Sequence, residues 1–199
     1  MKKWMVLAAL VVAVMIVVSP ANAQGNKFKV YAAANYVLPT SDLKTRFDDE
    51  LDTVELAAAA GWSLGFEWRL GKWGGLELDY LMADYDIEFA GEKIAETTMS
   101  PLTASFNFHI VHTKIIDFYI GPSVSYVTWD DVSFADGDEA GVDSEWAYGA
   151  QIGTDFALIK TVAIVTALRW QQMDLSPSDG DESIGVNPLY AKVGIAVRW

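Results

Sequence analysis

From Phe28 to Trp199, apolar side chains return at every second residue in eight separate segments. The stripes run through residues 28–38, 58–70, 76–82, 102–110, 118–126, 146–156, 162–170 and 189–199. No member of any stripe is charged. The charges of these segments fall on the opposite parity: Lys29, Glu67, Arg69, Glu77, Asp79, Asp117, Asp155, Arg169, Lys192 and Arg198. A repeat of 180° per residue means strands, each with one apolar and one polar face. Two stretches fit less well. Asp84 continues the apolar parity of the third segment, so a β-bulge near Ala83 is expected there, with Tyr85 and Ile87 extending the strand. "LAAAAGW", residues 56–62, has weak strand propensity and also reads as a helical turn.

Which face is inside follows from side-chain size. The polar parity is rich in small residues: Gly61, Ser63 and Gly65; Gly121, Ser123 and Ser125; Gly149, Gly153 and Gly194. Small residues suit a crowded interior. The apolar parity is bulky, and its aromatics gather at segment ends as interfacial girdles do. Phe28, Trp68, Phe108, Phe118, Phe156 and Trp199 mark one end; Tyr36, Tyr80, Tyr126, Trp146 and Trp170 mark the other. A soluble sandwich explains neither feature, whereas a barrel with its apolar face in lipid explains both. Strands can satisfy their backbone inside a bilayer only by closing on themselves. The predicted fold is therefore all-β: an eight-stranded antiparallel transmembrane up-and-down β-barrel. The joins "GKWGG", "VHTKI" and "LIKT" are short; those near 39–54, 84–97, 129–143 and 174–185 are long. Short turns belong on the periplasmic side and long loops outside, which would make both termini periplasmic.

The first residues read differently. Lys2 and Lys3 precede an apolar run over 5–18 and then Ala21-Asn22-Ala23. That is a cleavable signal peptide over 1–23, leaving 24–199 as the barrel domain. The run is short for a membrane span. The chain has no cysteine, which excludes lipid attachment at a cysteine, disulfides and thiolate metal sites.

The ending "KVGIAVRW" resembles the C-terminal signature of bacterial outer-membrane proteins. "DFYIGPSVSYV" resembles a Pro-Tyr-x-Gly-x-Gly-x-Gly-Tyr strand, with Gly121, Ser123 and Ser125 as its small inward residues. "WAYGAQIGTDFAL" resembles an aromatic–Gly–x–x–x–Gly strand. Together they identify a small eight-stranded barrel similar to the opacity/OmpA-like family related to OmpX and OmpW, over the whole mature chain. The resemblance implies that Val193, Ile195, Val197 and Trp199 are read by the barrel-assembly machinery. It also implies outer-membrane lipid and lipopolysaccharide as surroundings, and a monomer.

Charge is distributed unevenly. All but five of the 27 acidic residues fall in the long loops and their rims, and the formal net charge is −13. Nucleic acid is not an expected partner, because the balance is acidic and the sequence shows no basic patch of the kind that neutralises a nucleic-acid backbone. The acidic loops suit divalent cations bridging to lipopolysaccharide phosphates, or a basic surface; they also read as ordinary solvated loops kept apart by charge. Asp136 and Asp138 in "DGDEAG", and Asp179 and Asp181 in "SDGDE", are partial cation sites. A calcium loop of the first kind needs its bidentate glutamate where Ala147 stands.

The ten inward charges named above are expected to form an interior ion-pair network. Eight strands leave a lumen just wide enough for side chains, so the network should plug the barrel rather than line a pore. His109 points inward and His112 lies in a turn; no third ligand for a metal is evident, and no catalytic residue or cofactor is assigned. Three functions remain in order of preference. The first is a structural barrel acting through its surface. The second is a narrow channel or a conduit for small hydrophobic solutes, for which Pro122 on the lipid face offers a break in the ladder. The third is a lipid A-modifying enzyme.

Overall fold

The computed structural model describes residues 27–39, 54–89, 92–134, 139–175 and 184–199. Among these residues are twelve strands: β1 Phe28–Pro39, β2 Val54–Leu56, β3 Ala59–Arg69, β4 Gly74–Phe89, β5 Glu92–His112, β6 Ile116–Trp129, β7 Val132–Phe134, β8 Glu139–Ala140, β9 Glu145–Ala157, β10 Val162–Leu175, β11 Ile184–Val186 and β12 Pro188–Arg198. Eight of them form the wall, in the ring order β1-β3-β4-β5-β6-β9-β10-β12. Strand β1 pairs antiparallel with both β3 and β12, so the ring closes. The seam registers Lys29 with Arg198 and Pro39 with Pro188. Past its end, Trp199 N–H donates to Phe28 O (3.0 Å) and Phe28 N–H to Trp199 O (2.9 Å). The short strands β2, β7, β8 and β11 prolong hairpins at the long-loop end.

The period of two becomes two faces. Inward positions are buried along β1, β3, β6 and β10, while their neighbours face out. Trp62, Phe66, Leu78, Leu102, Ile120, Leu168, Val193 and Ile195 are exposed large apolar residues on the outer wall. Among the described residues no helix is long and apolar enough to cross a membrane. The crossing elements are strands, and lipid is the solvent that this outer face fits.

Two expectations about the wall need correction. No bulge lies near Ala83: burial alternates without a break from Gly75 to Tyr85, and the irregularity falls later, between Ile87 and Glu88. Asp84 faces outward and takes a hydrogen bond from Thr98 Oγ1 at 2.9 Å. The faces never swap; the β4–β5 hairpin outruns the apolar band, and its outward residues turn polar where lipid gives way to water. "LAAAAGW" is not helix: Ala57 and Ala58 link two strands, and the rest is strand. Leu56 closes β2 and Ala59 opens β3, both paired with β4. A Cβ on Gly61 would run into the Met82 carbonyl, so cross-strand approach overrides local propensity.

The short turns are built from few residues. Gly71 adopts φ +88°, which allows the tight reversal over residues 70–73. The Thr113 hydroxyl accepts from the Ile115 and Ile116 amides at 3.2 and 2.9 Å and closes the turn between β5 and β6. Leu158 N–H donates to Val162 O at 2.9 Å between β9 and β10. At Pro122 the ladder has a gap. The β5–β6 partners run to Ser105–Ser123 and resume at Phe108–Ile120, and a second irregularity lies between His109 and Val111.

An arginine in place of Leu64, midway along β3 on the outer face, is expected to cost about 2–4 kcal/mol in reversible denaturation from phospholipid vesicles. An unchanged midpoint would mean that this face does not meet acyl chains.

Candidate functional site

The lumen is filled in layers. Nearest the short turns, β1 contributes Lys29, β3 contributes Glu67 and Arg69, β6 Asp117 and β9 Asp155, because their parity points them inward. Lys29 Nζ lies 2.5 Å from Glu67 and 3.0 Å from Asp155. Arg69 Nε donates to Glu67 at 3.0 Å, and its outer nitrogen pairs with Asp117. His109 stands between the same two acids, with Nδ1 2.9 Å from Asp117 and Nε2 2.8 Å from Glu67. Two carboxylate acceptors suit the doubly protonated ring, which has a donor on each nitrogen. His112, at the end of β5, brings Nδ1 to 3.3 Å from Asp117.

One layer higher, β4 presents Glu77 and Asp79. Arg169 from β10 reaches Asp79 at 2.9 Å and Glu77 at 3.4 Å. Lys192 from β12 lies 3.3 Å from Glu77 and 3.7 Å from Asp79. The Tyr31 hydroxyl sits 2.8 Å from both acids and accepts from Lys192 at 2.6 Å. Asn107 donates to Glu77 (3.0 Å), Gln151 to Asn107 (2.7 Å), and Arg169 Nε to Gln151 (3.1 Å). Nine of the ten expected charges are thus drawn into ion pairs. The tenth, Arg198, is buried nearby, has no ion pair among the described residues, and its Nε lacks a hydrogen-bond partner. Glycines make the room. A Cβ on Gly65 would overlap the Tyr31 ring, and one on Gly153 the Tyr119 ring.

The layers above were not anticipated. A band of small polar contacts comes first: Asn35 to Ser63 at 2.9 Å, Thr103 with Ser125 at 2.7 Å, and Gln171 to Ser125. Over it lies an apolar cap that includes Val37, Leu81, Tyr85, Met99, Val127 and Tyr190, all buried. The Tyr85 and Trp129 rings meet at a centroid distance of 5.9 Å. One signal was visible: toward the long loops both parities become apolar, as in Val37-Leu38 and Leu81-Met82.

At the rim, Asp84, Asp86, Glu96, Asp130 and Asp131 border an open hollow that also holds Lys93. Lys93 is 2.5 Å from Asp86 and 2.8 Å from Glu96. Those hydrogen bonds hold its ammonium above the ordinary lysine range. Among the described residues no group of three His, Asp or Glu is arranged for a metal. The loop aspartates Asp136, Asp138, Asp179 and Asp181 lie outside the described residues, as does the signal peptide expected over 1–23. Val193 and Ile195 face outward and are exposed; Val197 and Trp199 are half-buried on the same parity.

Among the described residues, Arg169→Met leaves Lys192 as the only ion-pair partner of Glu77 and Asp79. Removing one partner of a buried pair costs about 3–5 kcal/mol. That loss is expected in equilibrium unfolding from vesicles, and an unchanged stability would show that the network is not holding these acids.

Among curated proteins no sequence match is found. OprG, an outer membrane protein from Pseudomonas aeruginosa, is similar in structure with a TM-score of 0.65 at 16% identity, over 89% of this chain and 99% of that one. Neisserial surface protein A gives 0.65 at 15% identity, over 86% and 97%. Outer membrane protein W of E. coli gives 0.56 at 16% identity, over 89% and 100%. At these identities the likeness is one of fold. The sequence itself matches the outer membrane protein beta-barrel domain over residues 8–198, and the chain belongs to that family of bacterial outer-membrane barrels.

Proposed function

We propose that this barrel is non-conducting and works through its surface, presenting acidic long loops to cationic partners outside the cell. The observation that carries the reading is the filled lumen. Ion pairs, small polar contacts and the apolar cap succeed one another along the axis, with Glu67, Asp155, Met99 and Val127 fully buried. In this reading the short turns and both termini lie in the periplasm. The loops and rim, with few bases among their acids, then gather divalent ions against lipopolysaccharide phosphates. His109 has both nitrogens engaged, so it is not free to act on a substrate.

A second reading, a conduit for small apolar solutes, draws on two observations. The outer half of the lumen is lined by apolar side chains, two of them flexible methionines, Met99 and Met173. The ladder is interrupted beside Pro122.

Planar-bilayer recording from refolded protein separates these. The expected trace is silent; a stable open conductance would overturn the plug. Uptake of an apolar dye into proteoliposomes without ion conductance would favour the conduit. Calcium should protect the long loops from protease in lipopolysaccharide bilayers, and a chelator should remove that protection. Equal cleavage with and without calcium would remove the cation-bridging role.

A further inference from the structure

The short-turn end carries a chemistry of its own. In the ring, the turns β3–β4, β5–β6 and β9–β10 and the β12–β1 seam fall at alternate junctions, a quarter of the circumference apart. Each bears a lysine: Lys72, Lys114, Lys160 and Lys27. The turns over residues 70–73, 113–115 and 158–161 contain no acid. Each also holds a large apolar side chain turned outward. Trp73 is 60% exposed, Ile115 66%, Leu158 59% and Ile159 61%. Turn tips are usually Gly, Asn, Asp, Ser or Pro; four big apolar tips in open water would be a liability. The opposite end of the barrel shows the reverse, with exposed Asp84, Asp86, Glu96, Asp130 and Asp131.

We propose that the short-turn end is a collar that docks anionic phospholipid headgroups, with its apolar tips sunk into the interface and its lysines at the phosphates. Charge complementarity selects this occupant: one end is basic and apolar, the other acidic. Lys72 Nζ lies 5.0 Å above the Trp73 ring, so the cation is held beside an indole, the side chain most at home at headgroup depth. Lysine stems lie along apolar surface while their ammonium groups stay at the polar level. Basic residues next to a bilayer are drawn to anionic lipid. The collar rests on the membrane-spanning reading and not on which leaflet it faces.

Electron paramagnetic resonance with spin-labelled lipids tests both separately. The barrel, refolded in phosphatidylcholine vesicles, should show a motionally restricted lipid component. Absence of that component would sink the membrane-spanning reading itself. Spin-labelled phosphatidylglycerol should be preferred over the phosphatidylcholine label on the order of threefold. The preference should fall toward one in the Lys72→Gln, Lys114→Gln variant and in high salt. Lys160 makes a contact within the protein and is left in place. Equal association of both labels with the unaltered chain, or a preference untouched by the double substitution, would overturn the collar. A second variant reads the tips. Ile115→Cys introduces the sole cysteine, and a nitroxide there should be relaxed by membrane-dissolved oxygen more than by an aqueous nickel chelate. The opposite ranking would place the turn in water and refute the docking.

Discussion

Inside a hydrocarbon layer no backbone amide or carbonyl can be left to water. The rest of this structure follows from that constraint. It requires the antiparallel ladder to return to its start, and β1 closes it by pairing with β3 on one side and β12 on the other. Closure then separates two surfaces of opposite chemistry. Within the apolar band, one parity of each wall strand faces outward and carries no charge. The other meets a narrow interior and must fill it.

Filling that interior poses a harder physical problem than covering the outside. Five acids and five bases share the short-turn half: Glu67, Glu77, Asp79, Asp117 and Asp155, with Lys29, Arg169, Lys192 and Arg198 buried and Arg69 nearly so. Burying charge is costly unless partners are close and hydrogen bonds satisfy the remaining lone pairs. Asn107, Gln151 and Tyr31 supply those bonds. The tyrosines fit because Gly65 and Gly153 withdraw from beneath them. Toward the long loops the same inward parity changes from charge to hydrocarbon, and Tyr85, Met99 and Val127 close the lumen without ions. The lumen is thus filled by two chemistries in series, and the acidic rim stands beyond the second.

Much of this was legible in the chain. Period-two stripes free of charge marked eight wall strands, their faces and the short turns, because a bilayer penalises a lipid-facing charge most strongly at mid-depth. The inward charges were legible for the same reason. Which acid meets which base was not: Lys192 facing Glu77 across the lumen depends on shear between strands far apart in sequence. The apolar cap was missed because Leu81, Val127 and Met173 sit on a parity assigned to polar residues, and alternation cannot mark an interior that is itself greasy. Asp84 misled for the converse reason. It is an outward residue above the membrane, where parity persists but the solvent has changed.

The most direct test of the whole account is which methyl groups touch lipid. Nuclear Overhauser contacts between protein methyls and acyl chains can be measured in a bilayer mimic. Leu64, Leu78 and Ile195 should show strong contacts to the chains, while Leu81, Val127 and Val186 should show contacts only to one another and to neighbouring side chains. Acyl contacts to the second group, or their absence from the first, would contradict the inverted barrel described above.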